Sequence, residues 1–140
     1  QIYRYILKNK DSELVHLGDE VKFADLYIQL LKTRFNSGLN ITINIPEEYN
    51  YRKIVPVTLQ NLIENAIKHN VIDPEECLRI DVYVEDDYLI VKNNLQKKKM
   101  VETSNKQGLN NMKSFYSYLS NRPVLIKETP THFIVKTPLI

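Results

Sequence analysis

The order of apolar patterns along this chain predicts an α+β fold, a two-layer α/β sandwich in which helices cover one face of a mixed, mostly antiparallel sheet. Three observations carry the prediction. Segments near residues 18–35, 56–69 and 108–119 repeat apolar residues at helical spacing. Runs at 39–45, 78–85, 88–94, 123–128 and 132–138 are short, β-branched and bounded by turn residues. The two kinds interleave as helix, strand, helix, hairpin, loop, helix, hairpin, with no internal repeat.

Residues 1–9 read as the end of a helix that continues upstream, and Asn9, Lys10, Asp11 and Ser12 form a polar break. The chain opens abruptly at Gln1, as a piece of a longer protein would. From Gly18 to Phe35 the residues Val21, Ala24, Ile28, Leu31 and Phe35 make one apolar stripe, which Tyr27 and Leu30 widen. Asn36-Ser37-Gly38 ends that helix as a glycine C-cap would. LNITINI (39–45) alternates like a strand, and Pro46 to Tyr51 is a loop. Pro56 opens a second helix, since proline suits a first turn, and the pattern holds to His69. After the Asp73-Pro74 break, LRIDVYVE and YLIVKNN flank Asp86-Asp87 as a hairpin. Residues 95–107 are polar and aperiodic, which predicts a mobile loop. Gly108 opens the third helix, with Leu109, Met112, Phe115, Tyr116 and Leu119 on its apolar face, and PVLIKE and HFIVKTP close the chain as a second hairpin.

Composition narrows the function classes. The 140 residues suit one domain, and 43% hydrophobic with 26% charged residues is ordinary for a soluble globular protein. A net charge of +2 gives no reason to expect nucleic acid, and Lys97-Lys98-Lys99 is too short a basic run to change that. The lone Cys77 excludes an internal disulfide and reads as structural, suiting a reducing compartment. No apolar run approaches the roughly 20 residues that cross a bilayer. His16, His69 and His132 lack metal-ligand spacing, and the acidic pairs Glu47-Glu48 and Asp86-Asp87 fall in turns.

Propensity does not explain NLIENAIKHN (61–70), a helical stretch with three asparagines. On a helical wheel Leu59, Leu62, Ile63, Ala66 and Ile67 face the core, while Asn61, Glu64, Asn65, Lys68 and His69 lie opposite. Asn61 and Asn65 are four residues apart, so their amides stack along one edge, with Lys68 a turn beyond Asn65. Amide oxygens are hard ligands suited to Mg²⁺, and lysine is a point-charge partner for phosphate. A solvated helix face accounts for the same stripe.

Three longer stretches add context. VPVTLQNLIENAIKHN (55–70) resembles the N box of the catalytic ATP-binding domain of sensor histidine kinases, in the GHKL (Bergerat-fold) ATPase superfamily, with the LytS-like branch the nearest match. VHLGDEVKFADLYIQLLKTRFN (15–36) resembles the segment that joins that family's phosphoacceptor helices to the ATP domain, and KQGLNNMKSFYSYLS (106–120) its second glycine box with the following helix. The resemblance runs in order from about residue 14 to the end. It implies residues 1–17 as the end of an upstream dimerisation helix and linker, and 18–140 as the ATP-binding domain. It implies ATP and Mg²⁺ as cofactors, with Asn65 and Asn61 on the metal and Lys68 near the phosphates. His69 joins the nucleotide set by its place in the box, although a cation ending a helix also complements the dipole. Gly108, Leu109 and Asn111 match the Gly-Leu-x-Asn element, Gly108 offering its amides to phosphate, and residues 95–107 match the ATP lid.

The sequence departs from the family at the first glycine box, where Asp-x-Gly is usual and VKNNLQKK stands instead. Asn93 matches the adenine-binding Asp, with Asn94 open as the alternative, and Leu95 replaces the glycine. A neutral amide in place of the carboxylate weakens that contact by about 1 kcal/mol. A second departure separates the chain from hydrolysing relatives, which carry a Glu one turn before the metal Asn; Asn61 there cannot act as a general base. The implied function is a histidine kinase that passes the ATP γ-phosphoryl to a His on an upstream helix outside this chain. The catalytic base is unassigned, because His16 lies in the linker segment and does not match the phosphoacceptor motif. Expected partners are ATP, the upstream dimerisation helices, a response regulator and a second subunit in a homodimer, in a cytoplasmic domain whose parent is anchored in the inner membrane. The alternative is a pseudokinase-like scaffold, motivated by the substituted box and by only three glycines. An inhibitory protein-kinase-binding domain of the same superfamily fits less well, since 14–35 match the kinase linker.

Overall fold

The computed structural model describes residues 14–96 and 104–140. The expectations for residues 1–13 and for Lys97-Lys98-Lys99 lie outside the described residues. In chain order the elements are β1 (Val15–His16), α1 (Leu17–Phe35), a 3₁₀ turn (Asn36–Gly38), β2 (Leu39–Asn44), a second 3₁₀ turn (Glu47–Tyr49), β3 (Lys53–Ile54), α2 (Thr58–His69), β4 (Leu78–Glu85), β5 (Tyr88–Asn94), α3 (Ser104–Leu119), β6 (Leu125–Glu128) and β7 (His132–Pro138). The main sheet has five strands in the order β2-β4-β5-β7-β6. β2 and β4 run parallel, from Leu39↔Leu78 to Asn44↔Tyr83, and the other neighbours are antiparallel. Parallel neighbours need a crossover, and α2 lies within this one. The expected α+β sandwich with a mixed, mostly antiparallel sheet is the observed fold.

Alternation sets the two faces of the sheet. Leu39 and Ile41, Leu78, Ile80 and Val82, Leu89 and Val91, and Val135 point to one side. There they meet Ala24, Ile28 and Leu31 of α1, Leu59, Leu62, Ile63 and Ala66 of α2, and Phe115 and Tyr116 of α3. Each leucine, isoleucine or valine among them contributes about 1.5–3 kcal/mol on burial. Their neighbours Asn40, Thr42, Asn44, Arg79, Asp81 and Glu85 are exposed on the other side. The β4–β5 hairpin turns through Asp86 (φ 54°) and Asp87 (φ 62°), the left-handed pair that a two-residue turn matched to strand twist requires. Arg52 Nη1 holds the Asp87 carboxylate at 2.9 Å, so this acidic pair is not merely solvated.

Several details differ from the sequence reading. Leu30 does not widen the buried stripe of α1; it is 71% exposed, alongside exposed Phe23 and Leu26, because only one side of the helix rests on its neighbours. Gly38 does not adopt a left-handed cap, as no described glycine has positive φ. It is small for another reason: a Cβ there would sit 2.9 Å from Ile72 Cγ2 and 3.2 Å from the Asp73 backbone nitrogen. Helix α2 starts at Thr58, two residues after Pro56, since Val57 takes a left-handed conformation at φ 68°. Helix α3 starts at Ser104, so residues 104–107 are helical and Gly108 lies a turn inside. The antiparallel ribbon β1–β3, with Val15↔Ile54 and His16↔Lys53, has strands too short to pattern a sequence. Lys53 also exchanges both backbone hydrogen bonds with Ile140, at 2.9 Å each.

Candidate functional site: the outer edge of helix α2

Helix α2 packs over β5 and β4, and its amphipathic pattern decides what it leaves outside. Thr58, Leu59, Leu62, Ile63 and Ala66 are buried, with Ile67 packed beside them. Asn61, Glu64 and Lys68 are exposed, and Asn65 and His69 are half-buried. The helix ends at His69, as its cation-bearing last turn predicts. Gln60 Nε2 donates to Glu64 Oε1 at 3.1 Å, so that carboxylate is engaged along its own edge. Asn61, Asn65 and Lys68 form the neighbouring edge. Among the described residues none of their side chains makes a hydrogen bond or ion pair.

The third asparagine of the stretch behaves differently. Asn70 is 3% exposed and caps the helix C-terminus. Its Nδ2 donates to Ala66 O at 2.8 Å, and its Oδ1 accepts from Gln96 N at 2.7 Å. Gln96 Nε2 then donates to Val71 O and Glu76 O, and Val71 N donates to Gln96 O. The end of α2 is thereby pinned to the chain just after β5. Sequence periodicity gave no sign of this clamp, because a C-cap Asn looks the same as a solvated one.

The two asparagines ending β5 also separate by role. Asn94 Oδ1 accepts from Arg79 N at 2.7 Å and its Nδ2 donates to Cys77 O at 3.1 Å, which commits the amide to bracing the start of β4. Asn93 shares the helix-facing side with Leu89 and Val91 and is 3% exposed. Its Nδ2 donates to Asn94 O at 2.8 Å, and Oδ1 carries no hydrogen bond among the described residues. Of the pair, Asn93 is the one with acceptor capacity on the α2 side of the sheet.

The start of α2 is held by a buried polar knot that the sequence reading missed. Glu20 of α1, 5% exposed, accepts from Val57 N at 3.2 Å through Oε1 and from Leu59 N at 3.3 Å through Oε2. Burial raises its carboxyl above the usual range, and hydrogen bonds from the α2 amides work against that rise. From α3, the Tyr116 hydroxyl accepts from Val55 N at 3.1 Å and pairs with Thr58 Oγ1 at 2.7 Å. Thr58 Oγ1 lies 2.8 Å from Val55 O, to which it donates. Burial raises the phenol far above its ordinary range, keeping it protonated. Three helices thus meet through side chains at one helix start.

The remaining candidates lie on α3. Leu109 is half-buried against the core and Asn111 is exposed. Gly108 sits in the second turn, where a helical amide normally bonds four residues back. It therefore lies a turn inside the helix and not at the helix start that the sequence reading expected. No hydrogen bond among the described residues joins Asn111 to the α2 edge. The structure brings Asn61, Asn65 and Lys68 together on one edge of α2, and places Asn93, one residue before the end of β5, on the helix-facing side of the sheet.

The fold is that of histidine kinase catalytic domains. The cytoplasmic segment of histidine kinase QseC superposes with a TM-score of 0.58 at 16% identity, over 91% of this chain and 78% of that one. The catalytic domain of histidine kinase ThkA in a nucleotide-free form also gives 0.58, at 11% identity, over 89% and 93%. Sequence relatives are consistent with the fold. The chain is 43% identical over 60 residues to the sensor histidine kinase BtsS of Escherichia coli (strain K12), which is 43% of this chain and 11% of that protein. It is 36% identical over 69 residues to the sensor protein kinase HptS of Staphylococcus aureus (strain USA300), 49% of this chain and 13% of that protein. The chain thus spans a small part of the length of these curated relatives. No protein-family model matches it. It is related in sequence to sensor histidine kinases and carries the fold of histidine kinase catalytic domains. Among the described residues no helix is long and apolar enough to cross a membrane.

Proposed function

We propose that this chain is the ATP-binding catalytic domain of a bacterial two-component sensor histidine kinase of the LytS-like branch. Residues 18–140 form the domain, and residues 1–17 end an upstream dimerisation helix and linker. The observation that carries the reading is the contrast among the asparagines. Asn70 and Asn94 spend their amides on the fold, whereas Asn61 and Asn65 hold theirs on one outward edge with Lys68. That donor set fits Mg²⁺ and phosphate: two amide oxygens of hard character and one ammonium. Asn61 and Asn65 would hold the metal, Lys68 the phosphates and Asn93 Oδ1 the adenine amino group. His69, Gly108, Leu109 and Asn111 complete the nucleotide set by family resemblance. Bound Mg²⁺ supplies charge neutralisation on the triphosphate.

The chain's own residues contribute binding and orientation. Asn61 cannot take a proton from water, and Glu64 is turned to Gln60 on a different edge. The site therefore suits delivery of the γ-phosphoryl to a positioned acceptor, a His on the dimerisation helices of the same or partner subunit, and onward to a response regulator. The parent would be a homodimer anchored in the inner membrane with this domain in the cytoplasm.

Calorimetric titration with ATP, with and without Mg²⁺, tests the assignment directly. Affinity should strengthen with Mg²⁺ and fall about tenfold in Asn65→Ala, as loss of one metal ligand implies. A flat titration of folded protein at millimolar ATP would favour the second reading, a pseudokinase-like scaffold. The first glycine box motivates that rival: the neutral Asn93 stands where the family has Asp, and Leu95 where it has glycine.

A further inference from the structure

Helix α2 begins without a cap of its own. Its N-cap residue Val57 makes no side-chain cap bond, and its φ of 68° is one that a β-branched residue holds only under constraint. The constraint comes from α1, where the two Glu20 oxygens accept from Val57 N and Leu59 N. Among the described residues no cation pairs with this buried carboxylate. A Ser or Asp at position 57 would cap the helix locally with far less desolvation. A carboxylate reaching across from another helix does something a local cap does not: it fixes one helix against the other. The linkage continues to the site, because Val57 O accepts from Asn61 N at 2.9 Å. Val57, whose amide Glu20 holds, thus also bonds Asn61 through its carbonyl, with Asn65 one turn further.

We propose that Glu20 is a positioning residue for nucleotide capture: from α1 it sets where helix α2 starts, and hence where Asn61 and Asn65 stand. The inference rests on the assignment of those two asparagines to the metal–triphosphate. Glu20 acts through the Val57 and Leu59 amides, at a helix end whose dipole also favours its charge. Helix α1 thereby becomes the element whose placement is felt at the metal ligands.

The test compares wild type, Glu20→Ala and Glu20→Gln in the 140-residue chain. Each is titrated with ATP alone and with ATP plus Mg²⁺, at a temperature where circular dichroism shows it fully folded. Loss of an N-cap interaction predicts that Glu20→Ala weakens Mg²⁺-ATP binding by about fivefold to tenfold. Binding of ATP without Mg²⁺ should stay within about twofold, because the residues next to the Glu20-held start hold the metal, whereas Lys68 lies by the helix end that Asn70 pins. Glu20→Gln keeps the shape and one acceptor, so it should lose only about threefold, again in the Mg²⁺-dependent part. A purely structural Glu20 would lower the melting temperature and leave both affinities of the folded protein unchanged. That result, or an equal loss with and without Mg²⁺, overturns the inference. Should Glu20→Ala fail to fold, Glu20→Gln decides alone, and wild-type Mg²⁺ dependence in it overturns the inference too. If wild type itself binds no nucleotide, the proposed function fails first and takes the inference with it.

Discussion

Replacing Tyr116 with Phe removes one oxygen atom from the point where α3 meets α2. The side chain is 0% exposed, and its hydroxyl accepts from Val55 N at 3.1 Å and pairs with Thr58 Oγ1 at 2.7 Å. Thr58 keeps its own acceptor, Val55 O at 2.8 Å, so its hydroxyl is not stranded. Val55 N–H, in a residue 5% exposed, is left without a partner. A buried unsatisfied amide costs about 1–3 kcal/mol and the lost hydroxyl pair about 0.5–1.5 kcal/mol, partly offset by no longer burying a phenol oxygen. The expected loss is about 2–3 kcal/mol, a fall in Tm of about 7–10 °C for a domain of this size. Urea unfolding followed by circular dichroism measures it. The Tyr116→Phe/Thr58→Val double mutant should show a coupling energy of about 1 kcal/mol between the two hydroxyls. Burial keeps the phenol protonated, so the loss should be the same at pH 6 and pH 9. A loss below about 0.5 kcal/mol, the range of ordinary surface changes, would refute the claim that this knot secures the start of α2.

Three further outcomes follow from the same physical reasoning. Gly38→Ala should destabilise by about 1–3 kcal/mol in denaturant unfolding, since its Cβ would meet Ile72 Cγ2 at 2.9 Å and the Asp73 backbone at 3.2 Å; a stabilised variant would show that this close approach is not rigid. Asn70→Ala strands Gln96 N and Ala66 O, and should cost about 2 kcal/mol while speeding hydrogen exchange at Val71 and Gln96; unchanged exchange there would remove the clamp. Glu20 has a folded-state pKa raised by burial, so its contribution to stability is complete below its unfolded value near 4.5 and is lost as pH rises through the folded value. Wild type should therefore gain stability relative to Glu20→Gln as pH falls from 7 towards that value, and the reverse slope would mean the capping bonds outweigh desolvation.

The layered fold was legible because it rests on periodicity. Ala24, Ile28 and Leu31, or Leu59, Leu62, Ile63 and Ala66, announce buried faces in any helix, and Asp86-Asp87 between two alternating runs announces a hairpin. The same logic overreached at Leu30, where apolar character without a neighbouring element leaves a side chain in water. It fell short at Ser104, because residues 104–107 are polar and aperiodic yet continue the helix. The candidate site was legible as far as its exposed edge, since Asn61 and Asn65 violate helix propensity in register. Its supports were not. Glu20 has the composition of a solvated first-turn residue, and Tyr116 was readable as core but not as a donor and acceptor. Hydrogen-bond partners 37 and 61 residues away leave no mark on local pattern.

The parallel pairing of β2 with β4 has a kinetic side. Joining Leu39 to Leu78 closes a long loop of chain, a slow contact whose entropy must be lost before any ladder bond forms. Helix α2 lies inside that loop and, once seated on β4 and β5, shortens the span left to close. Seating the helix and zipping the two strands are then one cooperative event. The helix divides this labour by edge: Leu59, Leu62 and Ile63 are buried in that closing step, while Asn61, Asn65 and Lys68 stand outside it. Chemistry on the outer edge can vary without slowing the fold that presents it.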